Sequence, residues 1–121
     1  MEFNPGEQWL YSVSIDICAR LIEVISGRTI EDYFQENIFD PLEMEQTGFF
    51  VKEGNLKNLA ACYYRDDNKK LQLLDPGGEI SRYAKPREFN GGGSGLISTS
   101  LDYFKFLQML LNGGIYNGKR R

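Results

Sequence analysis

A mostly helical α+β domain, with about three helices and a small β-hairpin, is the fold class this sequence predicts. Three observations carry that expectation. Three stretches place apolar residues at helical spacing between recognisable caps. A pair of short runs, Leu59-Ala60-Ala61-Cys62-Tyr63-Tyr64 and Leu71-Gln72-Leu73-Leu74, flanks Asp66-Asp67-Asn68-Lys69 as the strands of a hairpin flank their turn. The chain has 121 residues, 41% of them apolar, which suits one modest core and a single domain over residues 1–121.

Residues 3–12 read as an extended entry with a turn at Pro5-Gly6. From Ser14 to Ser26 the pattern is helical: Ile15, Cys18, Leu21, Ile22 and Ile25 form one apolar stripe, with Asp16, Arg20 and Glu23 on the other face. Gly27 is the expected left-handed cap. Thr29 then caps a second helix, with Glu31 and Asp32 in its first turn where the helix dipole favours acids. Ile30, Tyr33, Phe34 and Ile38 are its expected buried face, Pro41 its end, and Leu42 and Met44 an anchoring turn. Residues 45–58 read as irregular. Residues 75–95, rich in glycine, read as a long loop of the kind that is functional or packs on another surface. Thr99 or Ser100 caps the last helix, with Asp102 in its first turn. Its expected apolar face is Leu101, Phe104, Phe106, Leu107, Leu110 and Leu111, and Asn112-Gly113-Gly114 stops it. Ile115 to Lys119 reads as the start of a hairpin at an Asn-Gly turn, its partner strand cut off.

Composition excludes several function classes. Net charge is −3, from 14 basic and 17 acidic residues, and leaves no electrostatic footprint for nucleic acid or an anionic membrane. The basic tail Lys119-Arg120-Arg121 is too short to alter that. No apolar run is long enough to span a bilayer and no signal peptide opens the chain, so a cytoplasmic setting is favoured for it; an anchor or signal upstream stays open. Cys18 and Cys62 read as buried free thiols. Without histidine or a Cys-x-x-Cys pair, no metal and no cofactor is expected.

The glycine-rich run Gly91-Gly92-Gly93-Ser94-Gly95 lacks the lysine of a phosphate-binding loop and the spacing of a dinucleotide fingerprint. Its expected role is a tight crossing over another surface. Ser94 is not in a nucleophile elbow, because Leu96 stands where the second glycine belongs. No Ser-His-Asp triad can form in a chain without histidine. The acidic pairs Glu31/Asp32, Glu43/Glu45 and Asp66/Asp67 fall at helix starts and turns, where they cap and solubilise. Tyr11, after Trp9 and just before a helix, is the one candidate catalytic residue. The residues alone also fit a packed aromatic.

Five pieces in order give a resemblance: Pro5-Gly6-x-x-Trp9-x-Tyr11-Ser12; Leu21-Ile22-Glu23-x-x-Ser26-Gly27; Ile38-Phe39-x-Pro41-Leu42-x-Met44-x-x-Thr47-Gly48-Phe49; the glycine run through Ile97-Ser98-Thr99-x-x-Asp102-Tyr103; and Phe106-x-x-Met109-Leu110-Leu111-Asn112-Gly113-Gly114. Together they resemble the class C β-lactamase family in its broad sense, with its D-alanyl-D-alanine carboxypeptidases and esterases. The resemblance implies the helical region of a β-lactamase/transpeptidase-like fold and a serine acyl hydrolase acting through an acyl-serine. Tyr11 matches the family's tyrosine, whose implied role is proton transfer. A free phenol titrates near pH 10, so it needs neighbouring cations to act as a base. The family's Ser-x-x-Lys and Lys-Thr-Gly-type motifs are absent from this sequence, which implies an internal piece, inactive by itself. Its implied partners are the rest of the polypeptide and a small ester, amide or peptide, with self-association through an exposed cleft face left open. Val13 stands where β-lactamases carry asparagine, which places esterase or peptidase-like branches ahead of β-lactamase. The alternative is a non-catalytic binding or regulatory module on the same scaffold.

Overall fold

A computed structural model describes residues 2–52 and 54–120. Arg121 of the basic tail lies outside the described residues. The element order is α1 (Ser14–Ser26), α2 (Ile30–Phe34) continued by a π turn (Gln35–Phe39), β1 (Cys62–Arg65), β2 (Leu71–Asp75), α3 (Ser100–Leu111), β3 (Ile115–Tyr116) and β4 (Lys119–Arg120). The described elements are thus mainly helical, as expected.

Local chemistry explains the boundaries. Gly27 ends α1 at φ 69° and donates its N–H to the Glu23 carbonyl. Thr29 Oγ1 accepts the Asp32 N–H to start α2, and Thr99 Oγ1 accepts the Asp102 N–H to start α3. β1 and β2 pair antiparallel, with a bulge between Cys62 and Tyr63. Asp66 shapes their turn by accepting the N–H groups of Asn68 and Lys70. β3 and β4 also pair, Ile115 with Arg120 and Tyr116 with Lys119. The second hairpin therefore has its partner strand, contrary to expectation. Two residues suffice, because Asn117 and Gly118 both take positive φ (48° and 73°), the geometry a two-residue hairpin turn needs.

The core is two small clusters that meet at Phe34. Phe39, Leu42, Met44 and Met109 form one, and Ala19, Ile30 and Phe49 the other. Phe34 packs edge-on to Phe39 at 6.0 Å and stacks on Phe49 at 6.2 Å between ring centroids. Polar pins join distant segments. Buried Asp102 accepts hydrogen bonds from the Gln46 N–H (2.8 Å), Thr47 Oγ1 (3.1 Å) and Lys105 Nζ (3.3 Å). Gly48 and Ile97 form an isolated antiparallel bridge beside it.

The apolar stripes of α1 and α3 correct the sequence reading. On α1, Ile22 of the predicted stripe does pack on the core, but it is joined there by Asp16, Ala19 and Glu23 rather than by the rest of the stripe. Leu21 and Ile25 are 53% and 83% exposed. On α3, Asp102 and Met109 are buried and Phe106 of the predicted face packs on the Met109 cluster, while Leu101, Phe104, Leu107, Leu110 and Leu111 are exposed. Amphipathic spacing shows that a face wants an apolar partner; it does not show that the partner lies in the same chain. Cys18 and Cys62 are likewise free but exposed rather than buried, because each sits on an outward face.

The loop after β2 is organised by Asp75. Its buried carboxylate accepts the N–H groups of Gly77 (2.9 Å) and Arg82 (3.2 Å). These bonds, the Gly77 N–H first, then the Ser81 hydroxyl and Arg82, hold its pKa below the usual carboxylate range against the opposing effect of burial. The lowered folded pKa sets the sign. The stabilisation is present above the unfolded value, about 4, and is lost as pH falls through the folded value. Urea midpoints of the wild type and Asp75→Asn are therefore expected to differ at neutral pH and to converge only in acid below about pH 4.

Candidate active site

The candidate site lies where the entry segment meets the first turn of α1. Tyr11 is 85% exposed and Trp9 83%, with ring centroids 6.4 Å apart and planes tilted by 44°. The Pro5-Gly6 turn leads in, with Gly6 at φ 91° and the Glu7 N–H donating to the Asn4 carbonyl. Trp9, Tyr11, Ser12, Ser14 and Ile15 line one open depression. Among the described residues no side chain hydrogen-bonds the Tyr11 hydroxyl. The phenol is presented to solvent rather than packed.

The glycine-rich run makes the tight crossing its sequence predicted, and the surface it crosses is the first turns of α1. The Gly93 N–H donates to Asp16 Oδ1 at 3.0 Å. A Cβ on Gly92 would lie 2.4 Å from the Ile15 carbonyl oxygen and 2.8 Å from the Ala19 Cβ. One on Gly91 would lie 2.6 Å from Asp16 Oδ1. Only bare backbone fits between this loop and the helix. Gly92→Ala is therefore expected to cost about 1–3 kcal/mol, since neither helical atom can step aside. Gly93→Ala is the control: its added Cβ meets nothing closer than 3.5 Å, so its denaturation midpoint stays near wild type.

Beside the crossing, Asp16, Arg87, Phe89, Asn90, Gly91 and Ser94 line a second depression. Arg87 is held with its guanidinium 4.6 Å from the centroid of the Tyr83 ring. Ser94 is exposed on this wall. Of the acidic pairs, Asp32 and Asp66 make the cap and turn bonds expected of them, while Glu31 does more: its Oε2 accepts a bond from Asn90 Nδ2 at 3.1 Å. Sequence reasoning missed both Asp16 and Glu31 as anchors of the glycine run. Asp16 was assigned to the outer face of its helix, and only the glycine requirement of a close crossing could have pointed to a helix beneath. Among the described residues no helix is long and apolar enough to cross a membrane.

This arrangement of helices, hairpins and glycine crossing is part of a β-lactamase/transpeptidase fold. Simvastatin synthase from Aspergillus terreus, in its LovD6 mutant form, superposes with a TM-score of 0.72 at 32% identity, covering 89% of this chain and 26% of that one. The β-lactamase family model matches residues 1–121, and the chain belongs to that family. Protein Rv1367c of Mycobacterium tuberculosis is 30% identical over 119 residues, and lovastatin esterase of Penicillium rubens is 31% identical over 114. These alignments cover 97% and 92% of this chain, which spans 28% of the length of each relative.

Proposed function

We propose that this chain is the tyrosine-bearing part of a longer serine acyl hydrolase. Its exposed Tyr11, presented just ahead of the helix that the glycine run crosses, is the observation that carries this reading. In the proposed reaction a serine outside this chain attacks an ester or amide carbonyl. Its hydroxyl proton passes to Tyr11, kept as phenolate by cations supplied from outside this chain, the C–O or C–N bond breaks, and Tyr11 returns the proton to the leaving alcohol or amine. Water, or an acceptor alcohol, then releases the acyl group from the serine. Lovastatin esterase and simvastatin synthase bear names of acyl chemistry and support an ester over a β-lactam, as does Val13 in place of asparagine.

The exposed apolar faces of α1 and α3 support the incomplete-site reading, since the remainder of a longer polypeptide is the natural cover for them. Where that cover is missing, association of two copies through the same faces is the competing outcome. The test compares p-nitrophenyl butyrate and a chromogenic cephalosporin as substrates of this chain and of the full-length polypeptide. The full-length protein is expected to cleave the ester in preference to the cephalosporin, and this chain alone to match buffer. Ester turnover by this chain alone would overturn the proposal that the nucleophile lies elsewhere.

A further inference from the structure

The glycine run is tied down at two points by carboxylates from two helices. Asn90 Nδ2 donates to Glu31 Oε2 of α2 at one end, and the Gly93 N–H donates to Asp16 Oδ1 of α1 further along. Between them, Gly92 lies against α1 with no room for a side chain, and a Cβ on Gly91 would meet the Asp16 carboxylate. Residues 81–99 contain no regular helix or strand, so the wall that carries Ser94 keeps its place through such contacts. Asp16 sits on the turn that Tyr11 leads into, and its side chain borders the depression that Asn90 and Ser94 line.

We infer that Asp16 is a positioning residue: its carboxylate fixes residues 90–95 as one wall of a substrate-binding depression over the first turns of α1, the helix that Tyr11 leads into. The inference rests on the acyl-transfer reading above and deepens it by naming the group that sets substrate affinity. Glycine-rich backbone has the most freedom to lose, and a wall left mobile must be ordered each time substrate binds. Asp16 orders it in advance. The contact requires an acceptor oxygen, which asparagine also provides.

The test is steady-state hydrolysis of p-nitrophenyl butyrate by the full-length polypeptide, as wild type and as Asp16→Ala, Asp16→Asn and Asn90→Ala. Asp16→Ala is expected to raise KM about tenfold with kcat within about twofold, the signature of lost binding rather than lost chemistry. Asp16→Asn recovers most of that loss, and Asn90→Ala, which frees the other anchor, gives a smaller rise in KM. A purely structural role would instead lower the active fraction, reducing apparent kcat at constant KM. Unchanged KM in Asp16→Ala, or an asparagine variant no better than alanine, overturns the inference. If Asp16→Ala does not fold, Asn90→Ala decides, and unchanged KM there overturns it. A wild-type polypeptide with no esterase activity overturns the acyl-transfer reading itself, and the positioning role falls with it.

Discussion

Replacing Tyr11 by phenylalanine in the full-length polypeptide is expected to lower kcat/KM for ester hydrolysis about 10²–10⁴-fold, the usual worth of a positioned general acid–base. The substitution removes one hydroxyl from a side chain that is 85% exposed, so folding stability should stay within about 0.5 kcal/mol of wild type. The pairing of a large kinetic loss with unchanged unfolding separates a catalytic phenol from a packed aromatic. Denaturation curves and steady-state kinetics on the same preparation check it. A variant as active as wild type would leave Tyr11 with no part in the chemistry.

Asp102→Ala is expected to be strongly destabilising for a substitution outside the apolar core, by about 1–3 kcal/mol. The carboxylate is buried and receives donors from Gln46, Thr47 and Lys105, so its removal leaves the Gln46 N–H without its acceptor, while Thr47 keeps Ser98 Oγ and Lys105 keeps the Glu43 carbonyl. It also uncouples α3 from the segment that anchors Met44, whose side chain packs in the same cluster as Met109. Asp102→Asn keeps an acceptor in place and should lose much less. Urea denaturation of both variants in the full-length polypeptide checks the order, and equal losses would mean that shape, not hydrogen bonding, is what the site requires.

Elements held by local chemistry were legible in the sequence. Gly27 and Thr29 mark the junction of α1 and α2, Thr99 starts α3, and Asp66 folds the first hairpin turn, each through bonds spanning only a few residues. Features that depend on distant partners were not. Asp102 reads as an ordinary first-turn acid until Thr47, 55 positions away, is folded against it. The π turn at Gln35–Phe39 carries no distinctive residue pattern. Most instructive is α1, whose apolar stripe is real yet faces outward except at Ile22, because burial depends on what lies opposite and periodicity does not encode that.

The candidate site divides in the same way. Tyr11 emerged from its resemblance to a family motif, and the glycine run from its small residues. The hydrogen bond that ties the glycine run to the helix after Tyr11, from Gly93 to Asp16, spans 77 positions and needed the fold to bring it together.

The central claim is that Tyr11 serves a nucleophile outside this chain. The most direct measurement is fluorophosphonate labelling of the full-length polypeptide, with the modified residue located by mass spectrometry. The account predicts a single labelled serine outside residues 1–121, with labelling slowed in Tyr11→Phe. A label on any serine within these residues, Ser94 included, would contradict it.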